Sequence, residues 1–270
     1  MLKIKGVLIA KSPIHHGGDE KTGAETLLRR IKIYSDGKFR EIPYIDGNAI
    51  RGVVRRLIFS DLLEKLDYEL TNTKLYHSLF AGGLLETVSA KDSGILDLEM
   101  RKKVRKYLPP LSVFGTSFGN QVLAGKLIVG KMLPICTEMK DMIPDVGIVP
   151  DHSFYDFLDF TYGTRKDELR EKREEGEQAM QMLYSYEVFI PGTPFYHHFA
   201  LENFNEIEKA VLGRVIELWK QSPFIGGKKA IGNGELNIHY ETEISSKPYL
   251  DFIEKNKDIM RNLLEELEGV

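Results

Sequence analysis

Residues 30–58 hold the pattern that restricts the fold most: a complete hairpin running straight into a capped amphipathic helix. RIKIY and FREIPYI flank SDGK, whose Asp-Gly pair suits a tight turn between antiparallel strands. Asp46 or Asn48 can cap the helix that follows, and Ile50, Val53, Val54, Leu57 and Ile58 fall on one face at helical spacing. The chain also supplies strands for that face to cover. Residues 2–10 (LKIKGVLIA) alternate apolar and polar side chains, 122–135 and 182–201 have strand composition, and ELNIHYET follows FIGGKKAIGNG. Further helices are predicted at 97–107, stopped by Pro109-Pro110, at 203–220 around Trp219, and from Pro248 with Ile253, Met260, Leu264 and Leu267 on one side. A loop-rich stretch and a mixed-charge helix are predicted within 138–180. This order describes an α+β fold, an antiparallel sheet with helices on one face, compatible with a ferredoxin-like or RRM-like core. Residues 1–270 read as a single domain with insertions at about 66–113 (helical) and 137–183.

Net charge is −3, which argues against a chain that is basic as a whole. Phosphate contacts need only local Lys and Arg, and the acidic residues concentrate in 138–177 and the C-terminal tail. The single cysteine, Cys136, excludes an internal disulfide and a cysteine-based zinc site. No apolar run is long enough to span a bilayer, and the N-terminus reads as a first strand without a cleavage site. A cytoplasmic chain with no membrane partner and no cofactor is expected.

Four segments can carry chemistry. Asn48, Arg51 and Arg55 are spaced to share one helix face, distinct from the apolar stripe, so the arginines are expected to project away from the core. Gly47 and Gly52 would admit a second chain, and the helix N-terminus would offer free N–H groups to a phosphate; a solvated helix face is the plain alternative. FIGGKKAIGNGEL (224–236), with Gly226, Gly227, Lys228 and Lys229, can cradle phosphates with backbone amides, although it is not the phosphate-loop motif of nucleotide hydrolases. SPIHHGGDEKTGAETLLRR (12–30) holds His15, His16, Gly17, Gly18, Asp19 and Glu25. Its histidines could serve as general acid and base, or bind phosphate and stack on bases. Neighbours in a strand face opposite ways, which weakens joint action by His15 and His16 and any metal site pairing them with His197 and His198; no metal is expected. RKKVRK (101–106), including Arg101 and Lys102, is the densest basic patch, and the aromatics after it would suit single-stranded nucleic acid. The run at 165–177 reads as an exposed helix laced with ion pairs.

The order of these segments resembles the RAMP superfamily of CRISPR proteins, and within it the family of backbone subunits. The resemblance rests on HHGG after the first strand, PYIDGNAIRGVVRRL, Phe114-Gly115, Gly125-Lys126-Leu127 and the late glycine-rich loop, and covers about half of the chain. The family's second element runs proline-tyrosine-isoleucine-proline-glycine-serine-serine; here Asn48 and Ala49 replace the serines, while Gly47, Arg51 and Arg55 match. The resemblance implies an RRM-like palm, copies stacked in a helical filament along one CRISPR guide RNA, and a thumb, placed at 137–183, that kinks the guide. It implies other effector subunits and a complementary target RNA or DNA as partners. Some relatives cut target RNA with an aspartate in the loop after the first strand. Glu25 stands in that place, one methylene longer, with Asp19 at another offset, so binding without efficient cleavage is expected. The alternatives are a guide-processing ribonuclease using His15 or His16, a target nuclease centred on Glu25 or Asp19, and a protein-interaction module without RNA.

Overall fold

The computed structural model describes residues 1–22, 25–83, 98–118, 121–166 and 181–268. Strand β1 (Leu2–Ala10) leads to β2 (Gly17–Thr22), β3 (Glu25–Leu28), the hairpin β4 (Arg30–Ser35) and β5 (Lys38–Pro43), and helix α1 (Gly47–Leu66). Helices α2 (Thr73–Phe80), α3 (Leu98–Tyr107) and α4 (Pro109–Phe114) follow, then short strands β6 (Thr116–Phe118), β7 (Gln121–Leu123), β8 (Leu127–Val129) and β9 (Leu133–Pro134). The long strands β10 (Leu158–Lys166) and β11 (Gln181–Phe189) precede β12 (Pro194–Leu201), α5 (Glu206–Gln221), β13 (Leu236–Tyr240) and α6 (Lys247–Glu268).

The central sheet is antiparallel throughout, in the order β13-β1-β12-β8, with β9 also pairing β12. Its strands alternate with α1 and α5 along the chain as β-α-β-β-α-β. The alternation read in residues 2–10 appears as buried Ile4 and Leu8 on one face of β1, which meet Ile50, Val54 and Ile58 of α1 and Val211, Val215 and Trp219 of α5 in one core. Each such side chain contributes about 1.5–3 kcal/mol when fully buried. Gly6, in the middle of β1, has a structural reason: a Cβ there would lie 2.6 Å from the Tyr240 ring, which crosses the strand at that point.

The hairpin turns at Asp36 and Gly37, both with positive φ (50° and 74°), as a two-residue turn requires. Its inner face, Ile33 and Ile42, builds a second small core with Cys136, Met139 and Phe154. A second sheet has the order β10-β11-β3-β2, with β11 and β3 parallel.

Two local expectations change. Pro109 and Pro110 do more than stop α3: they occupy the first positions of α4, where a missing N–H costs nothing. The run at 165–177 begins as the end of β10 and not as a helix, because Arg165 and Lys166 pair with Met182 and Gln181; its remainder lies outside the described residues. Residues 84–97 of the first insertion do so too. Among the described residues, no helix is long and apolar enough to cross a membrane.

Candidate nucleic-acid interface

The two glycine-rich loops, more than two hundred residues apart in sequence, meet. The His15 carbonyl accepts the Gly227 N–H at 2.8 Å, and Gly234 N–H bonds to the Pro13 carbonyl at 2.8 Å. Gly226 must be glycine here: its φ is +80° and a Cβ would collide with the His15 carbonyl oxygen. The second loop then turns through Lys228, a non-glycine residue in the left-handed region (φ 64°). Its Nζ lies 4.1 Å from the Tyr186 ring centre and 4.7 Å from that of Tyr184, both on β11, so cation–π attraction ties the loop to the second sheet. Lys229 stays exposed, its Nζ over Phe224 at 4.5 Å. Gly227 and Lys229 therefore face solvent beside half-buried Tyr184, with Tyr186 buried behind it.

The two histidines are joints in this arrangement. His15 is buried, donates from Nδ1 to the Glu187 carbonyl at 2.7 Å, and meets Tyr186 edge-on. Glu187 is itself buried and binds Leu28 N–H and Arg30, fixing β3 and the start of the hairpin to β11. His16 accepts the Asp46 N–H at Nε2 (3.3 Å), and burial, helped by Arg29, pulls its pKa below the ordinary value. His16 is thereby held neutral with that nitrogen occupied. Gly18 permits close passage of the Arg29 backbone, and Arg29 N–H bonds the His16 carbonyl.

Several expectations for α1 are corrected. Arg51 and Arg55 do share a face, but it turns inward, because the first insertion packs over it. Arg55, 5% exposed, donates to the carbonyls of Leu79, Gly115 and Ser78, and half-buried Arg51 to those of Leu127 and Phe114. Nor are the first-turn amides free: the Asp46 side chain accepts Asn48 N–H at 2.8 Å, and its carbonyl accepts Ala49 and Ile50. The space over Gly47 is filled by this chain's own Val129 and Gly130 carbonyls and admits no second chain. Asn48 is exposed. So is Arg56, which the spacing argument missed; its position one residue past Arg55, about 100° further round the helix, was the available signal. Arg56 lines two clefts, one with Arg51 and one with Gly226 and Lys229.

The patch on α3 is partly neutralised inside the chain. Lys102 pairs with Glu99 and Lys103 with Glu266 of α6, while Arg105 donates to Ser112 and the Ala124 carbonyl; Arg101 is half-buried. Phe114, expected as a stacking aromatic, faces the core instead. Glu25 is exposed at the start of β3, opposite Ser185 of β11. The Asp19 side chain lies outside the described residues. Among those described, no three His, Cys, Asp or Glu side chains gather as a metal site needs; His197 lies in the core against Trp219 and Tyr240.

Comparison with known proteins extends these observations. The family model described as RAMP superfamily matches residues 7–237, from within β1 to β13. Among solved structures, a chain of a "Type IV-B CRISPR Complex" shares the fold at a TM-score of 0.68 and 22% identity, over 89% of this chain and 91% of that one. No curated protein sequence matches.

Proposed function

This chain belongs to the RAMP superfamily, and on that premise we propose that it is a guide-RNA-binding backbone subunit of a CRISPR effector ribonucleoprotein. The observation that carries the reading is the junction of the two glycine-rich loops. It leaves the charge of Lys229 exposed, with Tyr184 beside its neighbour Lys228 and with Arg56 lining the same cleft as Lys229; Asn48, also exposed, shares the other cleft that Arg56 lines. Exposed cations beside aromatic rings bind a single strand through its phosphates and bases without reading a sequence. His16, Gly17 and Gly18 belong to the site as its scaffold, holding the loop against α1.

On this reading the central sheet is a ferredoxin-like palm, and β10 and β11 are the base of a thumb spanning 137–183. Copies of the chain line up along one guide, beside other effector subunits, with complementary RNA or DNA as the target. Arg101 and Lys102 lie on a surface open to a neighbour. Binding without efficient cleavage follows from Glu25, which stands where some relatives carry an aspartate and is one methylene longer.

Expression of the full chain with a CRISPR array, followed by sequencing of co-purified nucleic acid, tests the reading. RNA of uniform length, carrying repeat-derived ends, is the expected result. A preparation free of RNA, with no binding of added guide, would overturn it. Incubation of the assembled particle with labelled complementary RNA and a divalent cation should leave the RNA intact; cuts at regular spacing would refute the non-cleaving part alone.

A further inference from the structure

The late glycine-rich loop places a lysine where a glycine would sit more easily. Lys228 has φ 64° and ψ 28°, in the left-handed region, although four glycines stand within six residues of it. Two consecutive lysines thereby reach different surroundings. The Lys228 side chain is half-buried, with its Nζ 4.1 Å from the Tyr186 ring centre and 4.7 Å from that of Tyr184. Lys229 is exposed, with its Nζ over Phe224 and 3.4 Å from the Ser222 hydroxyl. Among the described residues the Lys228 ammonium has neither a hydrogen bond nor a carboxylate, so the two rings are its partners.

Those rings belong to β11, where they stack with centres 6.1 Å apart and planes 23° apart. Tyr184 also reaches across to β10. It pairs in register with Gly163, and a Cβ at Gly163 would fall 2.4 Å from the Tyr184 ring. Glycine at that position lets the ring lie over the neighbouring strand, so Tyr184 joins β10, β11 and Lys228 at one point. Tyr186 is buried, meets His15 edge-on at 5.1 Å, and its hydroxyl accepts Asn233 Nδ2 at 3.4 Å. His15 and Asn233 come from the two loops that meet at the candidate site. Strands β10 and β11 pair with each other from Leu158–Phe189 out to Lys166–Gln181, which makes them a two-stranded arm fixed at its base to both loops.

We propose that Lys228 is a positioning residue and not a phosphate ligand: its ammonium clamps the late loop to the arm of β10 and β11, so that loop and arm move as one body. Coupling of this kind is reciprocal: whatever orders the loop also orders the arm, and a displacement of the arm reaches the loop. Its consequence for RNA rests on the RNA-binding reading of the loop, because a strand seated beside Lys229 would then be held at a fixed angle to the arm. The clamp itself belongs to the free chain and is tested there first.

Amide hydrogen exchange of the RNA-free full chain is compared for wild type, Lys228→Met, Lys228→Arg and Lys229→Met. Lys228→Met removes the cation and keeps the length, and should speed exchange several-fold at both 184–189 and 226–234. Lys228→Arg keeps a cation against the rings and should match wild type, as should Lys229→Met. The same proteins are then titrated with labelled single-stranded RNA across a range of KCl concentrations. Lys228→Met should weaken binding several-fold with an unchanged salt slope, whereas Lys229→Met should flatten the slope by about 0.7, the value for one lost single-strand phosphate contact. The loss from Lys228→Met should shrink in a Tyr184→Leu background, where one ring of the clamp is already gone. Wild-type exchange in Lys228→Met, or a slope flattened as much as that of Lys229→Met, would overturn the clamp and leave the RNA reading in place. The expected exchange changes in a chain that binds no RNA would do the reverse.

Discussion

Arg55 and Arg56 are neighbours in sequence with opposite physical roles. Arg55 closes three carbonyls at the ends of α2 and α4; that of Ser78 also accepts the Thr116 hydroxyl, and those of Leu79 and Gly115 do not. Arg55→Ala should therefore lower stability by about 2 kcal/mol or more in urea unfolding, since the Leu79 and Gly115 carbonyls are orphaned and each such buried group costs about 1–3 kcal/mol. Arg55→Lys should fail to rescue it, because one ammonium cannot span the fork. A loss under 1 kcal/mol would show that the carbonyls find water. Glycines in the late loop divide in the same way. Gly226 and Gly232 both have positive φ, 80° and 86°, but only Gly226 is packed, against the His15 carbonyl, whereas Gly232 has nothing within 4 Å. Gly232→Ala should cost about 1 kcal/mol of backbone strain and leave RNA affinity near wild type. Gly226→Ala should separate the two loops and weaken RNA binding at least tenfold by filter binding. Equal effects would mean that the junction is not part of the site.

At the scale of elements, α1 is held at its start by contacts that join separate parts of the chain. Asp46 caps it, His16 receives the Asp46 N–H, and Gly47 sits against Val129 and Gly130 at the end of β8. Gly47→Ala places a Cβ 2.5 Å from the Val129 carbonyl oxygen and must push α1 away from β8. The expected result is faster amide hydrogen exchange in β8 and the first turn of α1, with the α1 C-terminus unchanged. Uniform exchange along α1 would argue against a local wedge. The same element explains what could be read from the sequence. Its cap, its apolar stripe, the hairpin before it and strands β1 and β13 all follow from local periodicity and turn chemistry. Spacing also put Arg51 and Arg55 on one face. It could not tell that the insertion carrying Leu79, with Phe114 and Gly115 just after it, would cover that face, because burial depends on a partner far along the chain. The junction of His15 with Gly227, and the pairing of Tyr184 and Tyr186 with Lys228, escaped for the same reason. His15 and Gly227 stand in two separate loops and the tyrosines on a strand that carried no signal of its own, and only long-range packing makes them one site.

The whole molecule depends on its central sheet, and there a glycine lets two flanking strands meet across a third. Gly6 pairs with His197 of β12 on one side and Tyr240 of β13 on the other. With no side chain between them, the His197 Nδ1 and Tyr240 hydroxyl share a hydrogen bond of 2.6 Å inside the core. Burial holds the His197 ring neutral, with its pKa down to about 3, while His16 and His198 are also lowered, first by burial. An unfolded histidine titrates near 6.5, so below that pH the unfolded chain binds a proton that the folded chain refuses. The stabilisation is complete above about pH 6.5 and is lost progressively as pH falls toward 3. The slope approaches about 1.4 kcal/mol per pH unit for His197 alone. Carboxylates held below their ordinary range, such as Glu138 and Glu208, respond only at lower pH, which leaves the interval from 6.5 to 4.5 to the histidines. Urea unfolding of the RNA-free chain at pH 7.5, 6 and 5 should show this fall. The double variant His197→Phe with Tyr240→Phe removes both polar groups and keeps the rings, so its curve should be flatter by the His197 share. If the two curves run parallel over that interval, His197 is protonated in the folded sheet, and the bridge across Gly6 does not tie the three strands together as the geometry requires.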